Sequence, residues 1–176
     1  MAIQYDDHCE FLSDSVVNAD GRVYVHKDFK KVSENGPYLI GVAGQLVALQ
    51  FIEHTWTPPA LTAKDKKDLF KFVITKVVPS LRVALATENL FTEKSKTADD
   101  ETLYSILLAI NGTVFEIDQE LSVAVRGDGL YAIGSGGSYA LGALSVGATI
   151  DQAMEAAAKN DSNTGAPFVR HTQYKS

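Results

Sequence analysis

The sequence predicts an α+β fold, a four-layer αββα sandwich with two antiparallel sheets between helix layers. Two observations carry this prediction. Apolar runs of strand length are grouped by turn residues instead of alternating singly with helices, which is the mark of antiparallel sheets. Two helical stretches then interrupt the strands and two more precede the last one, so helix pairs are available to cover the outer faces. With 176 residues and no internal repeat, one domain spanning 1–176 is expected.

The first forty residues are read as strands. Ile3 and Tyr5 alternate with Ala2 and Gln4, Asp6-Asp7-His8 turns the chain, and residues 11–17 form a second apolar segment. Asn18 to Gly21 punctuates before a strand at 22–26. Glu34-Asn35-Gly36-Pro37 leads into a buried strand at 38–44 that ends in glycine. A helix follows from Leu46, stopped by Pro58-Pro59. From Asp65 to about Asn89, Leu69, Val73, Val77 and Leu81 recur every four residues beside Phe70, Ile74 and Val78, predicting a long core helix. Pro79 lacks the amide for an i→i−4 bond, so a kink is expected there. Lys64, Lys66, Lys67, Lys71 and Lys76 form the solvated face of that helix.

Residues 91–101 form a polar connection. Strands then return at 103–110, 113–117, 121–125 and 130–133, the first two joined by Asn111-Gly112, a type I′ hairpin pair. A helix at 138–146 ends at Gly147. Another opens on Thr149-Ile-Asp-Gln152, a capping box in which hydroxyl and amide satisfy each other's backbone donors. Residues 168–173 make the last strand.

Composition excludes several function classes. The net charge is −6, which disfavours nonspecific nucleic-acid binding, since that depends on clustered Lys and Arg. Hydrophobic residues at 45% exclude intrinsic disorder. The single cysteine, Cys9, excludes an internal disulfide and any multi-cysteine metal site. No basic stretch followed by an apolar core opens the sequence, and no apolar run approaches the ~20 residues that cross a bilayer. A cytoplasmic protein without membrane partners is expected.

Several motifs have both a functional and an ordinary reading. Gly134-Ser135-Gly136-Gly137 lies between a strand and a helix, where backbone amides can hold a phosphate or oxyanion. It also suits a close-packed turn. It is not a dinucleotide fingerprint, because Tyr139 stands where the third glycine would be. His8, His26, His54 and His171 are scattered at no ligand spacing, so no metal is expected. Arg126-Gly127-Asp128 is read as a tight turn, and Cys9 as structural.

Five segments in order carry a resemblance. They are Asp14, then Phe29-Lys30-Lys31-Val32, Gly41-Val-Ala-Gly44, Ala132-Ile-Gly-Ser-Gly-Gly-Ser-Tyr-Ala140 and Asn160-Asp-Ser-Asn-Thr-Gly165. Together they resemble the proteasome core β subunits and the bacterial HslV peptidase, which are N-terminal-nucleophile hydrolases of αββα fold. The resemblance runs over nearly the whole chain. It implies that Lys31 lowers the proton affinity of an N-terminal threonine, that Asp14 orients Lys31, and that the amide of Gly44 serves the oxyanion. Ser135, Asp161 and Thr164 then match the groups around the nucleophile and its α-amine, with Gly165 beside them. The implied reaction is peptide-bond hydrolysis through an acyl-ester, the amine acting as base.

The nucleophile position departs from the family. Aligning Ile3 and Tyr5 with inward strand positions puts Met1 there, and removal of Met1 would place Ala2 there; neither carries a hydroxyl or thiol. Cleavage ahead of Cys9 or Ser13 would expose a nucleophile but delete the first strand. Two readings stay open: a threonine-type endopeptidase subunit, inactive as written, and a noncatalytic ring-forming or assembly protein on the same fold. Both imply a homo-oligomer of stacked rings. The first implies unfolded polypeptide as substrate and leaves an ATPase unfoldase open as partner. No cofactor is implied.

Overall fold

The computed structural model describes residues 1–19, 22–25, 30–87 and 104–176. In chain order the elements begin with β1 (Ala2–Gln4), β2 (His8–Ser13), β3 (Val16–Ala19), β4 (Arg22–Val25), β5 (Val32–Asn35) and β6 (Tyr38–Gly44). Next come α1 (Leu46–His54) and a helical stretch built of α2 (Leu69–Phe72), a π segment (Val73–Val77) and α3 (Val78–Thr87). The chain continues through β7 (Tyr104–Ile110), β8 (Thr113–Ile117), β9 (Val123–Ala124) and β10 (Leu130–Tyr131) to α4 (Gly137–Ser145), α5 (Ile150–Asn160) and β11 (Val169–Tyr174).

The strands form a four-stranded sheet in the order β10-β1-β2-β11, a five-stranded sheet in the order β5-β6-β7-β8-β9, and a separate ribbon β3-β4. All pairings are antiparallel. The runs at 38–42 and 106–110 are continuously free of polar side chains because each is buried on both faces, as β-strands are when covered twice. Along β6, Leu39 joins Ala2, Cys9, Phe11 and Tyr131 of the other sheet in one cluster. Its neighbours Tyr38, Ile40 and Val42 join a second cluster with Leu49, Val73 and Leu81 of the helices. On the four-stranded sheet, Leu12 turns the other way, to Ile150 and Met154 of α5.

The element order matches the sequence reading, and the local differences have physical causes. The long helix begins at Leu69, not Asp65: a 3₁₀ turn at Asp65–Lys67 comes first, and the Asp68 carboxylate then caps the helix by accepting the Lys71 amide at 3.0 Å. A kink is expected at Pro79; the structure has a π segment just before it, in which the Val78 amide reaches back to the Val73 carbonyl, and Pro79 lies in the first turn of α3. Phe70 and Ile74 are exposed instead of lying in the core, while Val73, Val77 and Leu81 are buried as expected. The five lysines lie on solvent, and Lys76 pairs with Asp65 at 2.8 Å.

The apolar segment 11–17 is split by Asp14 into the end of β2 and the start of β3. The strand expected at 121–125 shrinks to Val123–Ala124, because Asp118 accepts the amides of Glu120 and Ser122 and Leu121 adopts φ 65°. The strand expected at 130–133 ends at Tyr131. Tyr5 is exposed and stacks on His8, so only Ile3 of that pair packs inward. Both residues of Asn111-Gly112 have positive φ, as a type I′ turn requires, and the Thr149/Gln152 capping box is closed from both sides. The expectations at His26, Phe29, Asn89, 91–101 and Leu103 fall outside the described residues.

Candidate active site

Asp14 occupies the break between β2 and β3. Its Oδ2 accepts the Val16 amide at 2.9 Å, a local bond that fixes the carboxylate over its own turn. Lys31 lies just before β5, held there by the Val42 amide, which donates to its carbonyl at 3.1 Å. These two anchors bring the Lys31 Nζ to 2.9 Å from each oxygen of Asp14. Both side chains are largely shielded, so the pair is less screened than one in open solvent.

A second polar group sits where α5 ends. Asp161 is the residue after the helix, and its Oδ2 accepts hydroxyl bonds from Ser135 at 2.7 Å and Thr164 at 2.5 Å. Burial opposes ionisation of this carboxyl. The two hydroxyls, the Asn163 amide and the nearby charge of Lys31 outweigh it, holding the carboxyl below its ordinary range.

The two candidates for the nucleophile position separate. Ala2 is fully buried between the sheets with Cys9, Phe11 and Tyr131. Met1 lines the cleft, with its side chain packed against the cluster of Leu12, Ile150 and Met154. Its amine donates to the Leu12 carbonyl at 3.0 Å. Burial pulls that amine down to about 6, while Asp14 opposes and Lys31 adds to the shift.

Asp14, Lys31, Gly44, Ser135, Thr164 and Met1 line one cleft of about 1070 Å³. Gly44 closes β6 with φ 105°, a conformation that favours glycine. Gly136 is required by close approach, since a Cβ there would stand 2.5 Å from Thr164 Oγ1. Gly165 touches the ribbon side: a Cβ would meet Val16 Cγ2 at 2.9 Å, and its carbonyl accepts the Ser15 amide at 3.3 Å. The structure thus brings the expected residues to one place, apart from Ala2, which faces away.

Sequence reasoning missed three contributors. Asn18 donates to Asn163 at 2.9 Å and ties the ribbon to the Asp161 loop. Ser13, buried beside Asp14, lies at the cleft with a hydroxyl that has no hydrogen-bond partner among the described residues. Gln45 stands at the start of α1 on the cleft rim. The only signal for Ser13 is a polar residue at a core-facing position of β2.

The remaining motifs lie elsewhere. Cys9 is buried between the sheets, which pushes its thiol up to about 11. Arg126 chelates Asp128 at 2.9 Å within a turn closed by the Gly129 amide on the Arg126 carbonyl. Among the described residues no cluster of His, Cys, Asp and Glu could hold a metal ion, and no helix is long and apolar enough to cross a membrane.

No protein-family model matches the sequence, and no curated protein does. Solved structures do match over nearly the full chain. BPH from Thiobacillus denitrificans in complex with epoxomicin is similar at TM-score 0.68 and 17% identity, over 99% of this chain and 97% of that one. HslV from Trypanosoma brucei is similar at TM-score 0.65 and 22% identity, over 98% and 97%. Anbu, an ancestral beta-subunit from Yersinia bercovieri, is similar at TM-score 0.67 and 16% identity, over 98% of this chain and 80% of that one. Likeness at such identities speaks for fold alone: this chain has the fold shared by BPH, HslV and Anbu.

Proposed function

We propose that the chain is a subunit of a proteasome β/HslV-like ring assembly whose hydrolytic centre lacks its nucleophile and does not cleave peptides. One observation carries this reading. The side chain at the cleft end of β1 is Met1, a thioether packed against α5, while the ion pair of Asp14 and Lys31 and the Asp161 hydroxyl network around it are intact. A thioether has no proton to give up and cannot carry an acyl group through an ester, so acyl transfer stops at its first step. The supporting residues keep a structural role, because losing one partner of a shielded ion pair is costly.

The reading includes finer points. A single domain spans 1–176 and is a four-layer αββα sandwich, a reading supported by three packing clusters: helices on the five-stranded sheet, sheet on sheet, and the four-stranded sheet on α5. The homo-oligomer consists of stacked rings in the cytoplasm, without nucleic acid, membrane or cofactor. Gly44 sits as the vacated oxyanion donor, and Asp161, Ser135, Thr164 and Gly165 frame the position of the missing nucleophile.

A second reading is favoured by the same intact networks. With a threonine at residue 1, Lys31 and Asp161 would serve an active endopeptidase acting on unfolded polypeptide, with an ATPase unfoldase as its feeder. Native mass determination together with turnover of fluorogenic peptides and casein separates the two. The noncatalytic reading expects a multiple of 19.0 kDa and no turnover. Turnover overturns it, and a 19.0 kDa monomer overturns the ring.

A further inference from the structure

Each sheet has a short edge strand and a longer one. β10 and β9 are two residues each and β5 is four, whereas β11 runs over six, Val169–Tyr174. A long open edge presents unpaired amides and carbonyls and is a template for another strand. Which groups of β11 are open follows from the bonding of β2. Met1 and Leu12 exchange both backbone bonds at 3.0 Å, and the Tyr5 amide donates to the His8 carbonyl at 2.8 Å. Leu12, Glu10 and His8 therefore turn their backbone groups to β1, and Ser13, Phe11 and Cys9 turn theirs to β11, where they meet Val169, His171 and Gln173. The amides and carbonyls of Arg170, Thr172 and Tyr174 are left pointing to the open edge. None of them has a hydrogen-bond partner among the described residues.

The usual protections of an edge are missing from β11. It contains no proline and no lysine, and the charge of Arg170 is held by Glu10 at 2.8 Å and Asp151 at 2.7 Å. Arg170, Thr172 and Tyr174 are all exposed, Tyr174 by 67%. The edge also has room beside it. Thr172, Gln173 and Tyr174 line a cavity of about 480 Å³, apart from the cleft, with Glu34 and Pro37 on its other side. An antiparallel strand that engages all three open residues has one register against β11 itself: Arg170 opposite Tyr174 of the copy, Thr172 opposite Thr172, and Tyr174 opposite Arg170. That register opposes no like charges. The Arg170 guanidinium meets a tyrosine ring, His171 meets Gln173, and the two threonines make a favourable cross-strand pair.

We propose that β11 pairs with β11 of a second copy of this chain, antiparallel across a two-fold axis at Thr172, so that two four-stranded sheets become one continuous sheet. A second copy is favoured over an unrelated extended peptide because the strand is complementary to itself, in charge and in side-chain type, in the register that satisfies every open backbone group. The inference goes beyond the ring reading. A ring closes through head-to-tail contacts, whereas this contact is the same patch on both chains. Within stacked rings it links a chain of one ring to a chain of the other.

The test is disulfide trapping and native mass determination on the full chain. In this register the two Thr172 Cα atoms stand about 5.5 Å apart, a span that a disulfide bridges, whereas the two copies of residue 174 lie about 13 Å apart along the strands. On mild oxidation Thr172→Cys gives a covalent dimer of 19.0 kDa chains and Tyr174→Cys does not, with the buried Cys9 common to both. Thr172→Pro removes an amide that points away from β2, a place where an edge strand tolerates proline. It weakens the association at least tenfold and halves the native mass. Thr172→Cys carries the test whether or not Thr172→Pro folds. No cross-link in Thr172→Cys, equal cross-linking of Tyr174→Cys, or a 19.0 kDa monomer at every concentration overturns the proposal. A native mass of two chains supports this contact and contradicts the ring, whereas a larger assembly left whole by Thr172→Pro contradicts the contact and leaves the ring standing.

Discussion

Lys31 Nζ stands 2.9 Å from both oxygens of Asp14, across a junction where two strand ends meet from different sheets. The pair joins the end of β2 to the start of β5, and so joins the four-stranded sheet to the five-stranded one at the mouth of the cleft. Lys31→Met leaves a shielded carboxylate without its cation. The expected loss is about 2 kcal/mol, between the values for exposed and fully buried pairs. Urea denaturation of Lys31→Met, Asp14→Asn and the double variant measures it. The double variant is expected to be more stable than the sum of the single losses implies.

Asp161 gives a pH dependence with a definite sign. Its carboxyl is held below the ordinary 3.8, so the folded chain keeps it ionised where the unfolded chain is protonated. The resulting stability is fully present above 3.8 and is lost as pH falls through the lower folded value. Replacing the two donors, as in Ser135→Ala with Thr164→Val, is expected to raise the Asp161 titration midpoint and remove this part of the acid sensitivity. Carboxyl carbon NMR titration of both proteins checks the direction.

Gly136 is predicted to tolerate no side chain. The Cβ of Gly136→Ala would press on Thr164 Oγ1 from 2.5 Å and move that hydroxyl off Asp161. Destabilisation of about 1–3 kcal/mol is expected, with the Asp161 midpoint moving upward in the same NMR titration.

At the far end of α5, Thr149→Ala opens the capping box and is expected to cost about 1 kcal/mol in thermal or chemical unfolding.

Much of this architecture is legible in the residues. The apolar runs at 38–42 and 106–110, the Asn111-Gly112 turn and the Thr149/Gln152 box are local signals, and local physics decides them. Phe70 and Ile74 were not legible: their four-residue spacing fits a core helix, but the side facing the sheet is chosen by tertiary packing. Leu121 to Val125 failed for a similar reason, because the Asp118 carboxylate captures backbone amides that a strand would have used. Asp14, Lys31, Ser135, Asp161 and Thr164 are singled out by ordered motifs, and the structure pairs Asp14 with Lys31 and bonds Ser135 and Thr164 to Asp161. Choosing Met1 over Ala2 required the strand register, which turns Ala2 between the sheets. Gln45 and Ser13 carry no motif at all, since a place on the cleft rim and an unpaired hydroxyl exist only in three dimensions.

The central proposal is that Asp14, Lys31, Ser135, Asp161 and Thr164 form a proteasome-type support for a nucleophile that residue 1 does not provide. It is tested most directly by comparing peptide turnover of the protein as it stands with a Met1→Thr variant produced behind a removable leader, so that the threonine has a free amine. The account predicts no turnover by the first and measurable turnover by the second, abolished again by Lys31→Met. Turnover by the unaltered protein, or none by a folded and correctly processed Met1→Thr variant, would contradict it.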